Sequence, residues 1–389
     1  MIMTSRERVL RALNHQEADR VPIDLGGTST STISLGALEN LKSYLGFHSE
    51  TKLMSPVFMT AYPGDDVIER FGIDVQMVTG NPPSGFKLRS TPDGKVKDEW
   101  GIVYQKDETA QTHFIVESEA PLRKVTSKLE IDRYPWPDPE DPARVKGLRE
   151  KARSYREKGF AVVANTSLLV MTQTQWMRGL EQYLVDTVLD PTLLEYMMDK
   201  ILDIMIEMAR RLLAEVADFA DVVVMGDDLS HQKGLTYSPE MYRKLLKPRH
   251  KRIVDFLKKH APEAKILYHC CGAVEPLIGD LIDIGIDALN PVQVSAKGMG
   301  DTNRLKALYG EDLTFWGGID TQWVLPFGTP EEVRREVRKR IEDLAPGGGF
   351  VLAAVHNIRP EVRPENICTL FDAALEYGRY PIQRNEETL

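Results

Sequence analysis

Short apolar runs rich in β-branched residues alternate with longer amphipathic segments between residues 19 and 356. A run of four to eight apolar residues bounded by turn residues indicates a buried strand, and apolar positions repeating every 3.6 residues indicate a helix with one buried face. The pattern predicts eight strands, over residues 20–25, 73–78, 161–166, 222–225, 265–268, 288–291, 314–317 and 350–355.

Helices are predicted between these strands, for example over 239–260, 273–283 and 330–344. Ser238 precedes the first of these, and Thr329 followed by Pro330 begins the last; a hydroxyl cap with proline at the first position is typical of a helix start. Strands that alternate with helices predict parallel βα units. Eight such units predict an α/β fold, a closed (β/α)₈ TIM barrel.

The chain is longer than the roughly 250 residues typical of such a barrel. We interpret residues 1–389 as one barrel domain with an inserted, strand-rich segment at about 85–121, which predicts a hairpin over the barrel.

Composition narrows the classes of protein. With 42% hydrophobic and 28% charged residues, the chain can bury a large core. The net charge of −9 argues against a nucleic-acid partner, and no stretch approaches the roughly 18 apolar residues of a membrane span. Three cysteines, two of them adjacent, cannot form a disulfide framework. We therefore expect a cytoplasmic, soluble protein with free thiols.

Polar side chains end nearly every predicted strand. In a barrel the loops after the strands build the active site, so one mouth would collect these residues. Polar strand ends also cap helices and form turns, which is the alternative interpretation. The strand-end set includes Asp24, Asn165, Asp227, Asp228, His269, Cys271, Asn290, Gln293, Asp320 and His356.

His269 and Cys271 are the most informative members. In an extended chain residues i and i+2 share a face, so these side chains point together and Cys270 points away. Imidazole and thiolate are ligands suited to Zn²⁺. The alternative is an acid–base histidine beside a buried thiol.

Asp227 and Asp228 follow an apolar strand and could supply a general base, a hydrogen-bond acceptor for a ligand imidazole, or a metal ligand. Their alternative role is to cap the next turn. Because adjacent strand-end residues face opposite ways, we expect only one aspartate to face the cavity.

Three segments carry a resemblance to a known family: Ser5-Arg6-Glu7-Arg8-Val9-Leu10-Arg11-Ala12-Leu13 with Asp19-Arg20-Val21-Pro22-Ile23, Gly317-Gly318-Ile319-Asp320, and the run from His356 to Ile367. The chain resembles the uroporphyrinogen decarboxylase superfamily over nearly its whole length. The resemblance implies a (β/α)₈ barrel. It also implies one of three kinds of member: the haem-pathway decarboxylase, zinc-dependent methyltransferases that move methyl groups between corrinoids and thiols, or uncharacterised proteins.

The decarboxylase motifs are incomplete. Decarboxylases carry an Arg-Gln-Ala-Gly-Arg segment whose arginines hold substrate carboxylates, where this chain reads Leu25-Gly26-Gly27-Thr28-Ser29. Without those cations the acids of a porphyrinogen lack charge-assisted donors. Gln175 also replaces a tyrosine of that branch, although the decarboxylase-like histidine His356 is kept.

The methyltransferase branch is similar in its His-x-Cys-Gly motif, matched by His269, Cys271 and Gly272. Its third zinc ligand is usually a cysteine in the last loop, at the position that His356 occupies in this chain. The resemblance therefore implies a metal site of His269, Cys271 and His356. An imidazole in place of a thiolate leaves the ion a stronger Lewis acid.

The leading hypothesis is a zinc-dependent methyltransferase that acts with a corrinoid, free or on a partner protein, and with a small-molecule substrate. Asp227, Asp228 and His356 are the candidate catalytic residues. The alternatives are a decarboxylase of a small acid and a non-catalytic tetrapyrrole-binding protein, and a homodimer is possible. Candidate substrate-binding residues, which could instead tie loops together, are Asp24, Asn165, Gln175, Asn290, Gln293 and Asp320.

Overall fold

The computed structural model describes residues 3–90, 94–109 and 111–383. The parallel strands of the central sheet are β1 Val75–Thr79, β2 Ala161–Leu168, β3 Val222–Gly226, β4 Lys265–His269, β5 Ala288–Asn290, β6 Thr314–Ile319 and β7 Phe350–Ala354. The α-helices are Ser5–Leu13, Leu35–Leu45, Asp65–Phe71, Lys128–Asp132, Leu148–Glu157, Val170–Arg178, Leu180–Leu189, Pro191–Val216, Pro239–Met241, Lys247–His260, Ile278–Ile284, Thr302–Tyr309, Val324–Phe327, Pro330–Leu344 and Pro364–Tyr377.

The seven strands form one sheet in chain order, from β1 at one edge to β7 at the other. Every neighbouring pair is parallel, and β3, for example, is buried along its whole length. A short extended segment joins the two edges: Leu352 N–H donates to Pro22 O at 2.9 Å, and Asp74 N–H donates to Ile23 O at 2.9 Å. These bonds close the sheet into the predicted TIM-type barrel.

The closing segment differs from the prediction of a regular strand over 20–25, because only isolated bridges form there, at Arg20 and Ile23. Pro22 has no N–H to give to a ladder. The Ile23 N–H donates to the Asp74 carboxylate at 2.8 Å instead of to a neighbouring strand. The eighth position in the barrel is therefore held partly by a side chain.

The other seven predicted strands are present, with ends that differ by one or two residues. Thr329 caps the helix Pro330–Leu344 in a capping box with Glu332. Ser238 caps the segment predicted as 239–260, but that segment contains a π-helical turn, Tyr242–Leu246, between its two α-helical parts. The segment predicted as 273–283 begins with a 3₁₀ turn, Glu275–Leu277, and continues as Ile278–Ile284.

A four-stranded antiparallel sheet occupies the segment expected to be inserted. Tyr104, on its third strand, is buried and donates its hydroxyl to Asp98 at 2.8 Å. Its strands are Arg89–Ser90, Val96–Lys97, Val103–Asp107 and Thr112–Ile115. Two smaller antiparallel groups pair Ile33–Ser34, Lys52–Ser55 and Thr60–Tyr62, and Ser230–His231 with Gly234–Leu235.

An ion-pair cluster lies beside the closing segment. Asp74 is fully buried, and it accepts hydrogen bonds from Arg8 at 2.6 Å and from Arg20 at 2.7 Å. The three residues link the first helix and the closing segment to the start of β1.

Among the described residues, no helix combines the length and the apolar character that crossing a membrane requires.

Candidate functional site

Pairing of neighbouring strands brings the predicted metal ligands to one end of the barrel. In the register of the sheet, His269 at the end of β4 lies beside Gly226 of β3 and Asn290 of β5. A Cβ on Gly226 would lie 2.3 Å from the His269 carbonyl oxygen, so only glycine permits this close approach. The residues that follow Gly226 are consequently held next to His269 and Cys271.

Hydrogen bonds orient the His269 ring. Its Nδ1 lies 2.6 Å from Asn290 Oδ1 and 3.1 Å from Thr30 Oγ1. The Asn290 amide nitrogen donates to Trp316 O, so the amide oxygen must face the ring and accept from Nδ1–H. The Nε2 lone pair is thereby left available for a proton or a metal ion.

The Nε2 atom of His269 points toward a thiol and a carboxylate. It lies 3.6 Å from Cys271 Sγ and 3.8 Å from Asp228 Oδ1. The Cys271 N–H donates to the same Asp228 oxygen at 2.9 Å, which holds the carboxylate over the loop. Burial raises the pKa of the Cys271 thiol well above its ordinary value, and the Asp228 carboxylate raises it further.

The structure therefore groups Asp228 with His269 and Cys271: one ligand atom from each lies within 4.8 Å of the other two. His356, the third ligand that the sequence predicted, is outside this group. Its ring centroid lies 6.4 Å from that of His269, whereas two imidazoles on one tetrahedral zinc would have centroids about 5 Å apart. The compact donor set thus differs from the prediction by one residue.

The chemistry of the three donors fits a divalent metal ion such as zinc. Sulfur, imidazole nitrogen and carboxylate oxygen are all zinc ligands, and three protein ligands leave a coordination position open. A thiol next to a carboxylate strongly resists ionisation, and a bound cation would reverse this effect. The two charges of the ligand set would then balance the charge of the ion.

Cys270 and Cys271 face opposite ways, as strand alternation predicted. Cys270 is 1% exposed and packs in the core, with its sulfur 3.8 Å from Ser230 Oγ. Burial raises the pKa of the Cys270 thiol.

The two aspartates point different ways, as strand alternation predicted, and only Asp228 reaches the candidate ligands His269 and Cys271. Asp228 is exposed, whereas Asp227 is 1% exposed and accepts from the N–H groups of Met171 and Thr172 at 2.9 and 2.7 Å. His250 Nε2 lies 2.9 Å from the same carboxylate. Asp227 therefore caps the helix Val170–Arg178, and the candidate catalytic role falls to Asp228.

The aspartates Asp24 and Asp320, predicted to bind substrate, are buried and bonded within the protein. Asp24 accepts from Gly27 N–H, Ser31 Oγ and Trp316 Nε1 at 2.6–2.7 Å. Asp320 accepts from three backbone N–H groups at residues 322–324, at the start of a short helix. Both carboxylates hold loops, and their oxygens are occupied.

The neutral members of the predicted set are distributed differently. Asn290 acts on His269, as described above. Gln293 accepts from Gly272 N–H at 2.6 Å and lines the mouth.

Asn165 is buried inside β2, which extends beyond its predicted end, and accepts from Ser167 N–H at 3.3 Å. Gln175 lies in a helix and donates to Tyr237 at 3.4 Å. Substrate contacts for these residues remain predictions.

A cavity of about 350 Å³ opens beside the three candidate ligands. His356 lines this cavity. Desolvation by the surrounding protein lowers the pKa of His356 to about 4, and the nearby His269 ring and Arg359 act in the same direction. Among the described residues of the wall, none is Lys, Arg, Asp or Glu. The wall is formed by Ser230, His231, Gln232, Cys271, Gly272, Gln293, Thr321, Gln322, Val355 and His356.

Sequence reasoning missed several of these residues. Ser230, His231 and Gln232 lie in a hairpin just after β3, so the rule that barrel sites follow strands could have identified them. Thr30 offers no such signal, because its contact with His269 spans 239 positions of the chain.

Comparison with known proteins agrees with this architecture. Residues 115–377 match the family model described as uroporphyrinogen decarboxylase (URO-D). Uroporphyrinogen decarboxylase of Psychromonas ingrahamii is 23% identical over 97% of this chain and 98% of its own. That of Alkalilimnicola ehrlichii is 23% identical over 99% and 98%.

Among solved structures, a methyltransferase from Methanosarcina mazei superposes with a TM-score of 0.62 at 20% identity, covering 97% of this chain and 99% of the other. This likeness shows a shared fold. The family match covers more than half of the chain and confirms the resemblance seen in the motifs. The chain belongs to the uroporphyrinogen decarboxylase family of enzymes.

Proposed function

We propose that the protein is a zinc-dependent methyltransferase that moves a methyl group between a corrinoid and a small acceptor or methylated substrate. The observation that carries the proposal is the cluster of Asp228, His269 and Cys271, whose ligand atoms lie within 4.8 Å of one another at the barrel mouth. Transfer in either direction suits this arrangement.

Zinc bound by these three residues would supply a Lewis acid that lowers the pKa of a thiol or hydroxyl group on the substrate. The protein's own part is to keep the site ready. Asn290 holds the proton of His269 on Nδ1, so that Nε2 faces the cluster. The Cys271 N–H fixes the Asp228 carboxylate on the opposite side.

The size of the cavity separates the two reactants. A volume of about 350 Å³ holds a small molecule but not a corrin macrocycle with its side chains. We therefore place the small substrate inside the mouth and the corrinoid, free or carried by a protein, across its opening.

Metal analysis of protein purified without chelator tests the proposal. We expect close to one zinc per chain, and strong loss of zinc in Cys271→Ser. Cys270→Ser is the matched control, since the adjacent thiol points into the core, and it should retain zinc. Protein that neither contains zinc nor takes it up would refute the proposal.

A second comparison identifies the third ligand. Asp228→Asn and His356→Gln are each titrated with zinc against a chelator of known affinity. We expect the larger loss of affinity in Asp228→Asn. The reverse result would assign the ligand to His356, as the sequence motif implies.

The decarboxylase alternative rests on His356, which faces the cavity beside Asp228 and whose pKa of about 4 leaves it a neutral base at pH 7. The described wall offers no cation to hold a carboxylate, which ranks this alternative second. Methylcobalamin mixed with a thiol distinguishes the functions. Demethylation of more methylcobalamin than there is protein, followed by the corrinoid spectrum, supports methyl transfer and excludes a binding-only role.

A further inference from the structure

The hairpin Ser230–His231 and Gly234–Leu235 contributes a histidine to the cavity that the proposed function does not use. Its backbone is joined to the metal-binding loop, since Ala273 N–H donates to His231 O at 3.0 Å and Ser230 Oγ donates to Cys271 O at 2.7 Å. The hairpin and the loop approach each other closely at Gly272, which has a φ of +90°: a Cβ there would lie 2.8 Å from His231 N. The hairpin and the loop therefore form one wall.

The His231 side chain is exposed and lines the cavity together with Cys271 and His356. Its Nδ1 accepts the Lys233 N–H at 3.3 Å. A neutral imidazole that accepts at Nδ1 carries its proton on Nε2. Nε2–H is then the atom that this ring can offer to a molecule in the cavity.

The rest of the wall indicates what kind of molecule that is. The described wall residues carry hydroxyl, amide, thiol and imidazole groups, and none is Lys, Arg, Asp or Glu. The charges of Asp228 and Cys271 beside this wall would be balanced by a bound divalent ion, so a charged substrate would lose hydration without gaining an unpaired ion partner, which is costly. A neutral polar molecule would instead find several donors and acceptors.

We infer that the cavity selects a small, uncharged polar substrate, and that His231 positions it by donating a hydrogen bond from Nε2 to a heteroatom of the substrate. This inference rests on the proposed function for the identity of the reaction. The donor and the substrate class are additional to it.

Four thiols of similar size serve as probes in titration calorimetry of the protein, both as purified and loaded with zinc. 2-Mercaptoethanol is neutral and polar, propane-1-thiol replaces its hydroxyl by a methyl group, mercaptoacetate is an anion, and cysteamine is a cation. Because the four thiols ionise to different extents, each dissociation constant is corrected for the fraction of thiolate present at the pH of the measurement. We expect 2-mercaptoethanol to bind at least about tenfold more tightly than each of the other three, because only it satisfies His231 without introducing a charge.

Substitutions at His231 test the donor. His231→Gln places an amide N–H near the position of Nε2 and should keep the preference for 2-mercaptoethanol over propane-1-thiol. His231→Ala and His231→Asn should reduce that ratio to about one while keeping the zinc content of the wild type. Lys233→Ala, in the same hairpin, retains the backbone N–H and should behave as the wild type.

The outcomes separate the two proposals. Three outcomes would overturn the inference, whatever the metal analysis shows: failure of all four probes to bind, equal affinity for charged and neutral probes, or a preference that survives in His231→Ala. Absence of zinc together with absence of methyl transfer would overturn the proposed function, and the calorimetric preference would still decide the inference.

Discussion

The chemistry of His269 depends on the side chain behind it. Asn290 accepts the Nδ1 proton at 2.6 Å, so the ring presents an unprotonated Nε2 to Asp228 and Cys271. Partners of this kind fix the tautomer of a ligand imidazole and raise its basicity.

Asn290→Leu should lower zinc affinity by about 10–100-fold, because the ring loses the acceptor that fixes its orientation. Competition with a chelator measures the change. Asn14→Ala, at an exposed site, is the control and should have no effect. Unchanged affinity in Asn290→Leu would mean that Thr30, 3.1 Å from the same ring nitrogen, is sufficient.

Asp24 makes stability depend on pH. Burial raises its pKa from 3.8 to about 6, although three donors stabilise the carboxylate. Between these values the folded protein holds a proton that the unfolded chain has already lost. The contribution of Asp24 to the free energy of unfolding is therefore fully present below pH 3.8 and is lost as the pH rises through 6. A pKa shift of about two units corresponds to a loss of roughly 3 kcal/mol.

Denaturant unfolding of wild type and Asp24→Asn from pH 4 to 7 measures this contribution. As the pH rises, the free energy of unfolding of the wild type should fall relative to that of Asp24→Asn. A constant difference would show that the carboxylate ionises at its ordinary pKa.

At the scale of elements, the loop after β3 has two functions in adjacent residues. Asp227 points into the protein and ties β3 to the helix Val170–Arg178 and, through His250, to Lys247–His260. Asp228 points into the mouth. Strand alternation, continued past the end of β3, separates the structural carboxylate from the chemical one.

Asp227→Ala should lower the free energy of unfolding by about 2–4 kcal/mol, since it removes a helix cap and leaves the buried His250 without its acceptor. Asp228→Ala should cost less than about 1 kcal/mol and should mainly weaken metal binding. Urea unfolding of the metal-free proteins compares them. Equal destabilisation by the two substitutions would contradict this division.

At the scale of the whole molecule, closure of the barrel requires a segment that cannot form a regular strand. Residues 22–24 bond to β7 on one side and to Asp74 on the other. Asp74 also accepts from the buried Arg8 and from Arg20. A buried carboxylate with two guanidinium partners thus contributes to the joint between the first and last strands.

Asp74→Ala should cost about 3–5 kcal/mol, because it removes the buried carboxylate that pairs with both Arg8 and Arg20, and Arg8 then keeps only the partly exposed Asp19. Asp372→Ala removes the partner of Arg70 in a partly exposed pair and should cost about 0–1 kcal/mol. Chemical denaturation of both variants provides the comparison. A loss at Asp74 as small as that at Asp372 would show that closure does not depend on this cluster.

The strands and helices were largely predictable, because their periodicity is a local property of the chain. Errors occurred where a local rule met a tertiary partner. The segment 20–25 reads as a strand, but Pro22 lacks a donor and Ile23 bonds to a side chain 51 residues away. Asp24 follows a strand in the way a site residue does, yet Trp316, 292 residues further along the chain, occupies one of its oxygens.

The amino-acid sequence alone determined the alternation of strands and helices, the family, and the shared face of His269 and Cys271, since each depends on local spacing or on motifs. Only the tertiary structure decided that Asp228 joins these two residues. That choice follows from the register in which Gly226 lies beside His269, and register is a relation between strands that are distant in sequence. For the same reason His356, which its motif marks as a ligand, lies in the wall of the cavity, 6.4 Å from the His269 ring.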